Sequence, residues 1–276
     1  MLRYFLQRML VFLPTLFGVS VIVFLAIRMV PGDTIVAMLG TDAGLLTDAQ
    51  IDALRTSFGL DKPILKQYFL WIEEVLKGNL GISVRHGRPV MEIILERFPL
   101  TIELALVSLI IALSFGIFVG TMSAVWRDTK FDIICRLLAL FGQAAPNFLI
   151  GLIILYCFSV YFGIMPNSGN YYDLWENPTE NLIQMFLPAL TLGFSFTASM
   201  MRTTRSSMLE VLGEDYIRTA RSKGVSEFNV ISKHAMRNAL IPVVTLSGVE
   251  LGYLLGGTII VEEVYALPGL GRLLLN

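Results

Sequence analysis

Long apolar runs dominate this sequence and decide which folds are open to it. Runs that start near residues 9, 101, 133, 182 and 239 each approach or exceed the ~20 residues that an α-helix needs to cross a bilayer core. Of the 276 residues, 55% are hydrophobic and only 16% are charged, against about 25% charged residues in an ordinary soluble domain. The sequence therefore predicts an all-α polytopic membrane protein with five spans.

We place the five spans at residues 9–30, 101–126, 133–163, 182–201 and 239–261. The first run is longer than the apolar part of a signal peptide, and no small-x-small cleavage site follows it. Residues 1–30 are therefore predicted to form an uncleaved transmembrane helix. The third run is too long for one straight helix of ~20 residues. Because Pro146 removes a backbone donor, the segment "QAAP" at 143–146 is predicted to kink this span.

Residues 31–99 differ from the spans because they mix charges with short apolar stretches. They are predicted to form an extracytoplasmic segment, followed by a core domain at 100–276 that contains spans 2–5. Within the segment, apolar side chains at helical spacing predict an amphipathic helix that packs on the membrane face. These side chains are Ile64, Tyr68, Trp71, Ile72 and Val75.

The distribution of basic residues sets the predicted orientation. Between residues 202 and 237 there are seven Lys or Arg residues and four acidic residues, whereas the loop at 165–181 contains neither Lys nor Arg. Because short cytoplasmic loops are enriched in Lys and Arg, we place the N-terminus and the 202–238 segment in the cytoplasm. In the 165–181 loop, Tyr171, Tyr172 and Trp175 fit either an interfacial aromatic belt or a contact with a partner protein.

The segment at 214–238 is unusual for a connection between spans because it is basic and reads as two short helices. Glu214 and Asp215 favour the start of the first helix. Gly224 can adopt the left-handed conformation that ends this helix, and Ser226 can cap the N-terminus of the second helix. The predicted apolar face of the second helix consists of Phe228, Ile231 and Ala235. A basic amphipathic helix can lie on anionic lipid or dock a protein partner. The tight Gly-Val-Ser corner favours docking slightly, because lipid contact does not require it.

No motif for catalysis, nucleotide binding or metal binding occurs in the sequence. There is no GxxxxGK[ST] loop, no GxSxG nucleophile motif, and no HExxH or CxxC pattern. We therefore expect a chain that is not an enzyme and holds no metal or cofactor of its own. With a net charge of −1, the chain gives no indication of nucleic-acid binding. Energy for any transport then has to come from a partner or from an ion gradient.

Several collinear motifs resemble one transporter family. "RTARSKGVSE" at 218–227 and "HAMRNALIPVVT" at 234–245 resemble the cytoplasmic EAA loop of ABC importer permeases. "FGLDKP", "GNLGISV", "RFPLTIELAL", "LPALTLG" and "VEEVYALPGLGRLL" resemble the first of the two paired permeases in the dipeptide/oligopeptide branch, which also includes nickel and glutathione permeases. Arg218, Thr219 and Ala220 replace Glu-Ala-Ala, and Arg237 stands where the general consensus has proline. Both departures are usual in the peptide branch.

The resemblance implies a type I ABC importer permease fold in a bacterial or archaeal cytoplasmic membrane. Its implied partners are a second homologous permease, two cytoplasmic ATPases that bind ATP and Mg²⁺, and an extracytoplasmic substrate-binding protein. Family members usually have a sixth span after "LPGLGRLL", so a sixth span is expected although five are seen. The residues implied to couple the permease to the ATPases are Tyr216, Arg218, Thr219, Ala220, Arg221, Lys223, Gly224, Val225 and Ser226.

Ionisable and small residues inside span 5 are the candidates for the translocation pathway or for contact with the partner permease. Glu250 lies in the middle of the span, where a charge is costly to bury; a protonated or paired structural acid is the alternative. Gly248, Gly252 and Gly256 recur every four residues and allow another helix to approach closely, although a flexible gate remains an alternative.

Charged residues near the ends of the spans are expected to lie at the membrane interface and not in the translocation pathway. Glu103, at the start of span 2, is predicted to be interfacial, and Arg202 and Arg205 are predicted to anchor the cytoplasmic end of span 4.

The resemblance leaves the substrate open among dipeptides, oligopeptides, glutathione and nickel chelates, of which peptides are the commonest case. An ion-coupled secondary transporter is the alternative from another class. It would accommodate Glu250 and the broken span, but it would give the 214–238 segment no role.

Overall fold

The computed structural model describes residues 2–29, 47–57, 59–83, 85–163 and 171–275. The start of the predicted extracytoplasmic segment and the first part of the 165–181 loop lie outside these residues. The described chain divides into two compact units, Met1–Leu95 and Glu96–Asn276. Its helices are α1 (Leu2–Met29), α2 (Asp48–Ser57), α3 (Ile64–Leu76), α4 (Val90–Val125), α5 (Lys130–Ala144), α6 (Asn147–Phe162), α7 (Pro178–Leu212), α8 (Asp215–Ser222), α9 (Glu227–Val264) and α10 (Leu270–Leu275).

Four of these helices, α1, α4, α7 and α9, are long and apolar enough to cross a membrane. The pair α5 and α6 passes the same test together, but it is bent by 109°. The structure confirms that the helix is interrupted just before Pro146, as predicted. The change of direction is larger than a kink within one span. Ala145 has an extended backbone, with φ −76° and ψ 132°, because proline disfavours helical geometry in the residue before it. The helix therefore ends there, and up to five spans result.

The first unit has a helix, α3, where the sequence predicts an amphipathic one, but Ile64 and Trp71 of the predicted apolar face are exposed. Tyr68 of α3 is buried beside α1, where its ring meets Phe17 and Phe24 edge-on and its hydroxyl lies 2.7 Å from Ser20 Oγ. The apolar residues on the other side of α3, such as Leu65, are exposed. These contacts fix α3 against α1 within this unit.

In the second unit, α7 lies at the centre of the core. It packs against α5, α6 and α9, and half of its most apolar stretch is buried. Helices α4 and α7 approach each other closely at glycines. A β-carbon on Gly120 would lie 2.6 Å from the carbonyl oxygen of Met201, and one on Gly193 would lie 2.9 Å from Ile111. The chain therefore uses glycines of α4 and α7 for its own close packing.

Two helices are longer than the predicted spans. Helix α4 begins at Val90, well before residue 101, and α7 runs from Pro178 through Leu212 instead of stopping near residue 201. The side chain of Asn177 caps α7 by accepting a bond from the backbone N–H of Glu180 at 3.4 Å. As a result, one continuous helix leads from the core directly to the basic segment.

Candidate functional site

The basic segment begins with a short helix that is seated firmly on the second unit. Helix α8 starts just after the end of α7. Ile217 and Ala220 are buried in one cluster with Met208 of α7 and Val230 of α9. Full burial of an isoleucine side chain contributes about 1.5–3 kcal/mol. Packed side chains therefore join α8 to both α7 and α9.

Gly224 forms the corner that the sequence predicts. Its φ is +77°, and its N–H donates to the carbonyl of Arg221 at 2.9 Å, while the N–H of Val225 donates to the carbonyl of Ala220 at 3.2 Å. This pair of bonds is the Schellman ending of a helix. A β-carbon on Gly224 would meet no atom within 4 Å. Glycine is needed here for its backbone conformation, not for lack of space.

Two side-chain contacts brace the corner from outside. The guanidinium of Arg221 donates to both carboxylate oxygens of Glu227, at 2.7 and 3.3 Å. The amide of Asn238 donates to the hydroxyl of Tyr216 at 2.8 Å. Both contacts join α8 to α9, so the two helices form one projecting element.

The surface of this element divides the predicted coupling residues into two groups. Ala220 faces inward and is buried, and Val225 is half-buried. The members on the outer face are Tyr216, Arg218, Thr219, Arg221, Lys223, Gly224 and Ser226. Phe228 is also 78% exposed, beside these charged groups. A large apolar side chain in such a position is typical of protein interfaces.

The sequence predicted an apolar face of Phe228, Ile231 and Ala235 at the start of α9, and the structure buries only part of it. Val230 and Ala235 are buried, whereas Phe228 is exposed and Ile231 is half-buried. The cause is a π-helical turn at Val230–Ala235, which adds a residue to the turn and shifts the buried positions from the 3.6-residue pattern. Ser226 does occupy the N-cap position, but its side chain makes no capping bond.

Asp132 is a functional candidate that sequence reasoning missed. It is fully buried, and Arg205 donates to its two oxygens at 2.6 and 2.8 Å. Ser123 of α4 donates at 2.5 Å and the N–H of Asp128 at 3.0 Å. Arg205, which was predicted to anchor the end of span 4 at the interface, thus forms an ion pair with a buried carboxylate. This ion pair joins the ends of α4, α5 and α7 close to the start of α8 along the chain.

A second buried carboxylate lies at the other end of α9. Glu262 is fully buried and accepts bonds from Thr101 Oγ1 at 2.8 Å and from the N–H of Arg272 at 3.1 Å. A β-carbon on Gly269 would overlap its carboxylate. Glu262 thus links α10, which follows α9, to α4. The only feature of the sequence that pointed to this contact was an acidic residue, Glu262, at the end of predicted span 5.

The candidate pathway residues of α9 lie on an open face. Glu250 is half-buried and accepts a bond from Ser199 Oγ of α7 at 3.1 Å. Gly248, Gly252 and Gly256 are exposed, and a β-carbon on any of them would meet no atom within 4 Å. Their period-four stripe is therefore not used for packing within the described chain.

Glu103 lies in a polar cluster between α4, α7 and the loop before α7. Asn181 is fully buried and donates to Glu103 Oε2 at 3.4 Å and to the hydroxyl of Tyr171 at 3.1 Å. Burial and the charge of Glu103 raise the pKa of the Tyr171 phenol. Tyr171 is therefore part of a buried network, whereas Trp175 in the same loop is 87% exposed.

Within the described residues there is no group of three or more His, Cys, Asp or Glu side chains placed to hold a metal ion. The two cysteines, Cys135 and Cys157, are both free thiols.

Comparison with protein families agrees with this arrangement. The family described as "Binding-protein-dependent transport system inner membrane component" matches residues 116–276, which include the spans from the end of α4 onward and the corner at Gly224. Its N-terminal companion family, "Binding-prot-dependent transport system membrane comp, N-term", matches residues 1–105. The two matches together cover almost the whole chain.

Characterised relatives match along the full length of the chain. The glutathione transport system permease protein GsiC of Escherichia coli K12 is 43% identical over 277 residues, which cover 100% of this chain and 86% of that protein. GsiC of Salmonella choleraesuis SC-B67 is 45% identical over the same coverage. These relatives are bacterial and do not support the archaeal option. The chain thus belongs to the inner-membrane permease subunits of ABC importers, in the family of the dipeptide, oligopeptide and glutathione permeases.

Proposed function

We propose that this chain forms half of the translocation pathway of an ATP-driven importer for dipeptides and oligopeptides. Its partners are a second homologous permease, two cytoplasmic ATPases that bind ATP and Mg²⁺, and an extracytoplasmic binding protein. The orientation is that given by the charges, with the N-terminus and the α8–α9 corner in the cytoplasm. The permease itself supplies no ATPase site.

The observation that carries this proposal is the construction of the corner at Gly224. The corner has a buried inner face and an outer face of charged residues with the exposed Phe228. Amphipathic helices that rest on lipid turn their apolar side chains to the membrane. Here α8 buries its apolar residues against its own chain and leaves Arg218 and Lys223 outward, which suits a protein partner.

Coupling follows from the rigid connections of this corner. ATP-driven closure of the ATPases moves α8, and the packed cluster at Ile217 carries the movement to α7 and α9. The buried pair of Asp132 and Arg205 then extends the rigid body to the ends of α4 and α5. The two permeases rock against each other as rigid bodies.

The partner permease packs, in this proposal, along the open face of α9. Gly248 and Gly252 offer a groove without side chains, into which a helix backbone can approach closely. Glu250 lies between them along the chain and faces the pathway or a polar group of the partner. Its bond to Ser199 keeps the carboxylate oriented towards α7.

The test is ATP-driven uptake by the complete transporter in proteoliposomes, with Gly224→Asp as the variant. We expect uptake to fall by about tenfold or more, within the 5–150-fold range of typical coupling energies, while the permeases still assemble. Gly78→Asp is the matched control, because Gly78 also has a positive φ, +80°, and open space for a β-carbon. Uptake that continues without ATP and collapses with the ion gradient would contradict the proposal.

Glutathione is the second candidate substrate, because relatives at 43–45% identity carry that name. It is itself a small peptide with a free thiol. Competition decides between the two: excess glutathione abolishes uptake of labelled dipeptide only if both use the same transporter and binding protein.

A further inference from the structure

A groove between α4, α5 and α7 has no part in the roles above. Its volume is about 280 Å³, and its wall includes Phe115 and Val119 of α4, Leu138 of α5, and Phe194 and Met201 of α7. Helices α4 and α7 are long and apolar enough to cross a membrane, and α5 belongs to the broken span. The groove therefore lies at membrane depth.

The wall of this groove offers almost no polar contact to an occupant. Thr197 is the one hydroxyl-bearing residue among the described residues that line it, and its hydroxyl donates to the carbonyl of Gly193 at 2.6 Å. A polar ligand would lose its hydration here without gaining hydrogen bonds. An apolar occupant is favoured instead, because the walls of an empty groove lose dispersion contacts.

One end of the groove lies next to the turn that joins α4 to α5, at residues 126–129. Along α4 the lining residues run from Ile111 to Val119, and α4 ends at Val125. On the opposite wall, Cys135 lines the groove near the start of α5, which begins at Lys130. This turn therefore marks the polar end of the groove.

Two aromatic rings lie at this end. Trp126 and Phe131 meet edge-on, with their centroids 5.4 Å apart, and they are 50% and 39% exposed. Phe131 precedes Cys135 by four residues, so it lies on the face of α5 that lines the groove. Half-exposed aromatic rings at the end of a span are typical of the membrane–water interface. The headgroup of a lipid in the groove would lie at this turn.

Lys130 gives the turn a positive charge. Its side chain is exposed, and it makes no hydrogen bond or ion pair with the described residues. Arg127 lies 3.2 Å from Asp128, so the charges of these two largely cancel. The N–H of Asp128 donates to buried Asp132 at 3.0 Å, which fixes the backbone of the turn. Lys130 is therefore held beside the end of the groove and is available to an anion.

We propose that this groove holds one acyl chain of an anionic phospholipid whose phosphate pairs with Lys130. The second chain lies along the exposed rim of the groove at Phe115 and Leu138. In the orientation proposed above, the turn faces the cytoplasmic leaflet, whose anionic lipids attract Lys and Arg residues close to the membrane.

The size of the groove and the charge at its end favour this lipid over other occupants. One turn of an α-helix is about 10 Å across and 5.4 Å long, which already exceeds 280 Å³. A helix of the partner permease can therefore cover the groove but cannot fill it. A zwitterionic lipid fills the groove equally well but brings no net charge to Lys130, so the headgroup decides which lipid binds.

The experiment measures lipid binding to the full chain by native mass spectrometry. Phosphatidylglycerol and phosphatidylcholine with identical acyl chains are the matched probes. We expect one phosphatidylglycerol to bind about fivefold more tightly, which is the effect of about one lysine near an anionic lipid. Lys130→Gln removes this preference. Lys233→Gln, at an exposed lysine that does not line the groove, preserves it.

A second pair of variants tests the acyl chain. Leu138→Trp places a larger side chain at the rim of the groove and should weaken both lipids about fivefold or more, because the chain loses its packing contacts. Leu137→Trp is the matched control, because Leu137 is similarly exposed, 61% against 57%, and does not line the groove. It should leave the binding of both lipids unchanged.

Equal binding of the two lipids by the unaltered chain overturns the inference, and so does a preference that survives Lys130→Gln. Equal effects of Leu138→Trp and Leu137→Trp place the chain elsewhere and overturn it too. Competition by glycerol 3-phosphate assigns the turn to a free phosphate, and tighter binding of oleate assigns the groove to a fatty acid. Loss of the bound lipid when the second permease is added assigns the groove to the partner. Each of these three results overturns the inference, and none depends on ATP-driven uptake.

Discussion

At the scale of single residues, the pair of Asp132 and Arg205 is the clearest case of a buried charge held by geometry. Asp132 accepts four hydrogen bonds in the interior, from Arg205, Ser123 and the backbone of Asp128. Removing one member of a buried ion pair leaves the other charge uncompensated, which costs about 3–5 kcal/mol. We therefore predict that Asp132→Asn lowers the free energy of unfolding in detergent micelles by about this amount.

Arg136→Gln is the control for this prediction. Arg136 lies 3.7 Å from the same carboxylate, but its side chain is 46% exposed. Exposed pairs contribute about 0–1 kcal/mol, so this substitution should change the unfolding midpoint little. If Asp132→Asn and Arg136→Gln lowered the free energy of unfolding equally, Arg205 would not be the main partner of Asp132.

At the scale of helices, the break between α5 and α6 raises the question of what keeps it open. Pro146 ends α5, but Gly142 and Gly151 on its two sides approach α7 closely. A β-carbon on Gly142 would lie 3.0 Å from Ala198, and one on Gly151 would lie 3.1 Å from Thr191. The bend is therefore fixed by packing as well as by the proline.

This packing leads to a prediction about two substitutions. Pro146→Ala should lower stability by about 1 kcal/mol or less, the usual size of a proline's effect on the unfolded chain. Gly151→Leu should lower it by about 1–3 kcal/mol or more, because the larger side chain overpacks the contact with α7. Chemical unfolding in micelles measures both. A larger loss from Pro146→Ala would mean that the proline alone maintains the bend.

At the scale of the whole molecule, local features were predictable and distant partners were not. The bend before Pro146, the corner at Gly224 and the amphipathic helix around Tyr68 follow from the neighbouring sequence alone. The bond between Thr101 and Glu262 joins residues 161 positions apart, and the ion pair of Asp132 and Arg205 joins residues 73 apart. No local pattern specifies such a pairing. The π-helical turn at Val230–Ala235 is likewise invisible to a 3.6-residue pattern.

The open glycine face of α9 makes a prediction about assembly. Gly252 is exposed, and a β-carbon placed on it would meet no atom within 4 Å, so Gly252→Leu should leave the unfolding midpoint of the isolated permease unchanged. If the partner permease packs on this face, the same leucine blocks close helix approach, and co-purification of the partner should fall sharply. Gly120→Leu is the contrasting variant. It collides with α7 inside the chain and should lower the stability of the isolated permease. Normal assembly of the Gly252→Leu variant would place the partner on another surface.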